Sequence, residues 1–285
     1  MSNSFLQVRR RFADYLATLV AAGLSAIVVG ALVAIFAYLV IKGAGSVNWA
    51  FLTNIPKPVG EIGGGMANAI VGSAILLAIG SAIGIPFGIG AGIYLAEYGH
   101  NRLGSLVRFT ADVLNGVPSI VIGLVAYGLV VAKQRHFSAF SGGVALAIMM
   151  VPIVARTTEE MLLLVPQAVR EAAFGLGIPQ WRTTVSVTLA TARAGILTGI
   201  MLAFARIAGE TAPLMFTAFG NAFWSFSPNQ PIAALPLQIY TYALSPYDDW
   251  HRQAWAAALI LVALIVGTIS VVRYLFGRSV LREVS

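Results

Sequence analysis

The feature that most limits how this chain can fold is a series of hydrophobic runs, each long enough to cross a membrane. About 20 apolar residues of helix span the roughly 30 Å of hydrocarbon, where only helices and closed barrels satisfy their backbone hydrogen bonds. Hydropathy predicts six spans: Leu16–Ile41, Met66–Ala96, Phe109–Ala132, Gly142–Ala155, Ala192–Phe216 and Ala254–Phe276. The short fourth span can extend through the apolar stretch 161–165. The sequence therefore predicts an all-α, polytopic membrane protein.

Composition and the distribution of basic residues agree with this prediction. Of the 285 residues, 58% are hydrophobic and 10% charged, whereas soluble domains carry about 25% charged residues. Twelve lysine and arginine residues lie on the side of the two termini and five on the opposite side, which places both termini in the cytoplasm by the positive-inside rule. For the aromatic external segment Thr217–Gln253, an interfacial hairpin and an ordinary folded loop both stay open.

Glycine repeats predict close helix packing in two spans. Gly80, Gly84, Gly88 and Gly92 recur every four residues in the second span, and Gly195 and Gly199 do the same in the fifth. Such stripes lie on one helix face, where another backbone can approach closely. Because Pro86 removes a helix hydrogen bond, it predicts a kink. The stripe is read either as packing within the bundle or as a moving hinge.

Two opposite charges fall inside the predicted fifth span. A charge near the bilayer centre costs about 2.5–3.5 kcal/mol on insertion scales, so Arg206 and Glu210 are expected to face protein or water. Their spacing of four residues places them on the glycine face and allows them to pair. Either they neutralise each other, or Arg206 offers its guanidinium to a crossing anion that Glu210 holds or gates. The planar fork of arginine favours a phosphate-like oxyanion.

A second polar line begins the predicted third span. Asp112, Asn115 and Ser119 stand at i, i+3 and i+7, a spacing that shares one helix face, with Pro118 interrupting it. Two interpretations stay open: Asp112 caps a helix, or the three side chains line a pathway.

The motifs of common catalytic sites are absent from the sequence. It has no cysteine and no G-x-x-x-x-G-K-[ST], G-x-S-x-G or H-E-x-x-H motif. His100, His136 and His251 are far apart and outside the predicted spans, so no metal site and no cofactor are expected. We expect no covalent chemistry in this chain, and ATP would have to be bound by another polypeptide.

The segment Glu171–Gly177 reads E-A-A-F-G-L-G. It resembles the E-A-A-x-x-x-G signature of the membrane subunits of bacterial ABC importers, with Val187–Ala190 reading V-T-L-A where the family has I-x-L-P. Three longer stretches, which include Gly63–Gly72 with Gly88–Tyr98, Gly116–Gly123 and Ala205–Leu214, are similar to the A-type membrane subunits of phosphate importers. This resemblance covers residues 60–276.

The resemblance implies a fold, partners and a place in the cell. The fold is that of a type I ABC importer permease (MetI-like), with an N-terminal region 1–60, a permease core 61–276 containing a cytoplasmic coupling loop at about 156–191, and a tail 277–285. The partners are a second, C-type permease subunit, two cytoplasmic ATPase subunits, an external phosphate-binding protein and membrane lipid, without nucleic acid. The location is the bacterial inner membrane.

The resemblance also implies that the E-A-A segment docks on the ATPase. Ala172, Ala173 and Gly177 have little side-chain bulk, so a partner surface can come close, and Glu171 can offer a charged contact. The expected function is half of an ATP-driven pathway for inorganic phosphate. The alternatives are a permease for molybdate, sulfate or phosphonate, a transporter or channel that works without an ATPase, and a membrane scaffold.

Overall fold

The structure, a computed structural model, describes the backbone of residues 2–61 and 63–281 and the side chains of residues 9–61 and 63–276. Within these residues the chain is predominantly helical, and its only β-type pairing is an isolated bridge between Phe219 and Ile232. The α-helices are α1 Ser2–Gly43, α2 Trp49–Thr53, α3 Ala67–Tyr98, α4 Arg102–Gly116, α5 Ser119–Ala126, α6 Ala132–Gln134, α7 Ala139–Leu163, α8 Gln167–Gly175, α9 Gln180–Thr183, α10 Leu189–Ala208, α11 Ala212–Met215, α12 Leu235–Ala243 and α13 Asp248–Leu281. A 3₁₀ turn at Ala44–Ser46 and π turns at Tyr127–Val131 and Thr184–Thr188 complete the described helical structure.

The predicted set of six spans is confirmed, with one of them broken. Five segments are long and apolar enough to cross a membrane. They are Arg9–Ser46, Ala67–Tyr98, Ala139–Leu163, Gln180–Ala208 and Asp248–Phe276. The pair Arg102–Gly116 and Ser119–Gln134 stands in the place of the sixth, with a bend of 110° between its two helices.

The prediction of an unbroken third span over Phe109–Ala132 was wrong. Pro118 disfavours helical geometry at the residue before it, and Val117 is extended, with φ −69° and ψ 132°. The helix therefore stops at Gly116 and restarts at Ser119 in a new direction. Pro86, in contrast, lies inside α3 without ending it.

The fifth span also differs from its prediction of Ala192–Phe216. Its apolar segment begins earlier, at Gln180, and α10 ends at Ala208. Gly209 follows as the C-terminal cap, and Pro213 cannot donate the hydrogen bond that a continuing helix requires. Glu210 therefore lies beyond the helix that carries Arg206.

The fourth span extends past its predicted end, as its apolar continuation indicated. Helix α7 runs to Leu163, so the segment that joins the fourth and fifth spans covers only residues 164–179 and contains α8. The predicted coupling loop of about 156–191 was too wide, because its two ends belong to the spans. The other domain boundaries stay predictions, and the side chains of the tail 277–285 lie outside the described residues.

Helix α7 is the central element of the bundle. In the most apolar 18-residue stretch of α7, 67% of the residues are buried, compared with 6% in the corresponding stretch of α1. Both glycine stripes lie against it. A Cβ added at Gly84 would stand 2.9 Å from Met150 Cβ, and one added at Gly199 would stand 2.4 Å from Thr157 Oγ1. The main buried cluster fills the space among α3, α7 and α10.

A second buried cluster closes the end of the bundle where α2, α12 and the start of α13 meet. Phe51, Met66, Leu235 and Tyr242 are each at most 3% exposed in this cluster. The segment Thr217–Gln253 therefore folds onto the chain rather than standing apart from it, with α12 as its ordered centre.

Candidate functional site

Arg206 stands in the last turn of α10 with an exposed side chain, and Glu210 is half-buried beyond the helix end. The predicted pairing of these two residues across one helical turn was wrong, because α10 stops between them. No ion pair or side-chain hydrogen bond joins Arg206 to another described residue. Within the described part of the chain the guanidinium is therefore exposed and without an ion-pair partner.

The broken third span is in direct contact with α11, the short helix that follows the fifth span. A Cβ added at Gly123 of α5 would lie 2.7 Å from the Cα atom of Pro213 in α11. Ser119 begins α5 one turn before Gly123, and Glu210 precedes Pro213 by three residues. Two segments that are distant in sequence, each with polar side chains, are thus adjacent in the fold.

The polar line Asp112, Asn115 and Ser119 is divided by the break. Asp112 and Asn115 lie on α4, exposed and half-buried respectively, whereas the half-buried Ser119 belongs to α5. The prediction that all three share one helix face holds only for the first two. Asp112 is not a helix cap, because α4 begins at Arg102 and Asn101 caps it by accepting a 2.8 Å hydrogen bond from the Gly104 amide.

The E-A-A segment forms a short helix that ends in a left-handed glycine. Gly177 has φ +75°. Its amide donates to Phe174 O at 2.9 Å, and the Ile178 amide donates to Ala173 O at 3.2 Å. These two bonds are the Schellman pattern that satisfies the last carbonyls of a helix. The glycine of the motif is thus required by the backbone conformation.

The two faces of α8 differ in exposure. Glu171, Ala172 and Gly177 are exposed, and the nearby Leu176 is 81% exposed. Ala173 is 5% exposed, so its small side chain packs against its own chain. The prediction that Ala173 clears space for a partner surface is therefore wrong for this residue.

Sequence reasoning missed a group of ion pairs at the end of the bundle that carries α8. Arg170 binds Glu97 of α3, Arg108 of α4 binds Glu159 of α7 at 2.6 Å, and Arg156 binds the same carboxylate at 3.2 Å. Glu97 and Glu159 are acidic residues at the ends of apolar runs. That position was the available signal.

Comparisons with known proteins place this geometry in a family. Residues 84–282 match the family of binding-protein-dependent transport system inner membrane components. Relatives named "Phosphate transport system permease protein PstA" include one from Yersinia pestis, 48% identical over 241 residues that cover 84% of this chain and 82% of that protein. Another, from Xylella fastidiosa strain 9a5c, is 51% identical over 231 residues and covers 80% of each chain.

A solved structure shares the fold. It belongs to the inward-facing MetNI methionine ABC transporter and matches with a TM-score of 0.59 at 17% identity, covering 77% of this chain and 97% of that one. The predicted MetI-like architecture is thereby confirmed. The chain belongs to the family of binding-protein-dependent transport system inner membrane components, the membrane-embedded permease subunits of ABC importers.

Proposed function

We propose that this chain forms half of a transmembrane pathway for inorganic phosphate and that separate ATPase subunits drive it. The observation that carries the proposal is the match with relatives named as phosphate permeases over four-fifths of this chain and of their own length. The guanidinium of Arg206, which pairs with no residue among those that the structure describes, is a group that such an anion would use.

The position of Arg206 supports a role in the pathway. An arginine in a membrane-spanning segment is costly when lipid covers it, yet Arg206 is exposed in the single chain. We infer that the second permease subunit covers this face and that Arg206 lines a hydrated passage between the two. Its fork can bind two phosphate oxygens at once.

The other polar side chains would adjust how tightly phosphate is held. Asn115 and Ser119 can donate hydrogen bonds to phosphate oxygens. Glu210 and Asp112 carry negative charge, which would weaken the attraction and permit release. The contact between α5 and α11 holds Ser119 and Glu210 in neighbouring segments, as a shared passage requires.

The α8 segment is proposed as the ATPase docking element. Glu171 offers an exposed charge, and Ala172 and Gly177 add little bulk, beside the apolar side chains of Phe174 and Leu176, which are 45% and 81% exposed. Such a surface suits insertion into a groove of a partner, with apolar contacts at the centre and a charge at the rim. ATP hydrolysis would occur in that partner.

The proposed assembly contains a second, C-type permease subunit, two cytoplasmic ATPase subunits and an external phosphate-binding protein. It lies in the bacterial inner membrane with both termini of this chain in the cytoplasm, as its basic residues indicate. The α8 segment then faces the compartment that holds ATP.

Uptake by the reconstituted importer tests the proposal. We expect Arg206→Gln to lower radiolabelled phosphate uptake about 10- to 100-fold, because a hydrogen bond to a charged group is lost. Arg206→Lys should retain part of the uptake. Arg252→Gln is the matched control, because that arginine is 66% exposed and its ion pair is with Asp249 in its own helix. Unchanged uptake by an assembled Arg206→Gln complex would contradict the role of Arg206.

Competition and co-purification test the alternatives. Unlabelled phosphate should block uptake, whereas excess sulfate, molybdate or phosphonate should not; the reverse would identify another oxyanion as the substrate. A carrier that works alone would transport without a co-purifying ATPase.

A further inference from the structure

A buried ion pair fastens the proposed docking helix to the body of the bundle. Arg170 of α8 donates through Nη1 to Glu97 Oε1, in the last turn of α3, and through Nη2 to Leu162 O of α7 at 2.8 Å. The two charged side chains are 13% and 7% exposed. One guanidinium therefore ties α8 to both neighbouring spans.

Burial distinguishes this pair from an ordinary surface pair. Removing one member of a buried ion pair leaves an uncompensated buried charge, which is strongly destabilising. Separating the two side chains is costly for the same reason. The pair between Arg252 and Asp249 is 66% and 45% exposed, and pairs of that kind contribute little. Arg170 directly precedes Glu171, which is exposed, so Arg170 contacts the bundle while the next side chain of α8 reaches solvent.

A second arginine holds the same end of α3. Arg108 of α4 donates to Leu95 O at 2.9 Å and to Gly99 O at 2.8 Å, carbonyls on either side of Glu97. Its Nε donates to Glu159 Oε1 at 2.6 Å, and this carboxylate is 3% exposed. The end of α3 is thus bound to α8 through Arg170 and to α4 through Arg108.

From these contacts we propose that Glu97 and Arg170 are positioning residues that transmit movement of α8 to α3 and, through Arg108, to α4 and its break at Pro118. The inference rests on the proposed function, since α8 is taken as the segment that the ATPase moves. Packed helices move as rigid bodies that slide or rotate, so displacement of α8 reaches α3 only while the connection between them holds.

In the assembled importer, the expected consequence of breaking the pair is loss of coupling between ATP hydrolysis and phosphate import. In the complete importer reconstituted in liposomes, Glu97→Gln and Arg170→Gln should each lower the number of phosphate ions imported per ATP hydrolysed about tenfold. The exchange Glu97→Arg with Arg170→Glu should restore part of this ratio. Asp249→Asn is the matched control at the exposed pair and should leave the ratio unchanged.

A purely structural role predicts a different result. It would lower the melting temperature and the yield of assembled complex, while each assembled complex kept the normal ratio of phosphate to ATP; that result would overturn the inference. Failure of the unmodified importer to transport phosphate would instead overturn the proposed function, so the two failures are distinguishable.

Cross-linking allows the phosphate-to-ATP ratio of one variant to be compared with and without a covalent connection between α3 and α8. The chain has no cysteine, so Glu97→Cys with Arg170→Cys can be studied in an importer whose other subunits carry no cysteine. The ratio of phosphate to ATP should be low without a bis-maleimide cross-linker and should rise when the linker joins the two positions. A cross-linked complex that stays uncoupled would overturn the inference, even where the charge variants fail to assemble.

Discussion

Gly177, the glycine of the E-A-A-x-x-x-G segment, is required by the conformation of its backbone. Its φ of +75° lies in the left-handed region, where a side chain costs roughly 1 kcal/mol or more. A Cβ at this position would meet nothing within 4 Å, so the restriction comes from conformation and not from crowding. The E-A-A-x-x-x-G spacing therefore encodes the end of a helix.

We predict that Gly177→Ala loosens the end of α8. The Ile178 amide, which donates to Ala173 O, should exchange its hydrogen about fivefold faster, corresponding to about 1 kcal/mol of local strain. Hydrogen exchange followed by mass spectrometry measures this. Gly175→Ala is the control, since Gly175 is helical and its Cβ would also meet open space. Equal exchange in both variants would show that the left-handed conformation costs nothing.

At the scale of elements, α3 and α10 approach α7 closely because glycines face it. A Cβ at Gly92 would lie 2.5 Å from Thr158 Cβ and 2.6 Å from Ala155 O. Backbone atoms cannot yield as a flexible side chain can, so the two helices would have to separate. The interpretation of the stripe as packing within the bundle has direct contacts behind it, while the hinge interpretation stays a prediction.

We predict that Gly92→Val destabilises the chain by about 1–3 kcal/mol through overpacking. The free energy of unfolding of the purified chain in mixed micelles measures the change. Gly90→Val is the matched control, because Gly90 lies on the same helix and a Cβ there meets nothing within 4 Å. The two variants share their change in helix propensity, so their difference isolates packing. No difference between them would rule out a close approach at Gly92.

At the scale of the whole molecule, α8 and its ion pairs lie at one end of the bundle. The second buried cluster, where α2, α12 and the start of α13 meet, lies elsewhere in it. The proposed function requires α8 to face the cytoplasm. The count of basic residues agrees with that orientation.

We predict that the orientation can be read with single cysteines, since the chain has none of its own. Asn229→Cys, in the exposed loop before α12, should react with a membrane-impermeant maleimide in sealed right-side-out vesicles. Gln180→Cys, which follows the α8 segment and is also exposed, should react only after permeabilisation. The opposite pattern would reverse the assignment of both termini.

Much of the candidate site was accessible from sequence because membrane physics acts locally. The cost of a charge in lipid singled out Arg206, whereas the α8 segment was found through its resemblance to the E-A-A signature of importer membrane subunits. Hydropathy did not predict correctly how Arg206 and Glu210 lie relative to each other. Their relative position depends on where α10 ends, and our prediction extended that helix across both Gly209 and Pro213 to Phe216, although both residues favour termination.

The sequence by itself determined that the chain crosses a membrane, about where it does so, which faces pack closely and which end is basic, because each of these follows from local hydropathy and helical periodicity. Only the tertiary structure decided that the third span bends by 110°, that α5 meets α11, and that Arg170 reaches Glu97 across 73 positions. Those features depend on contacts between distant segments, which a one-dimensional pattern of hydropathy and charge does not specify.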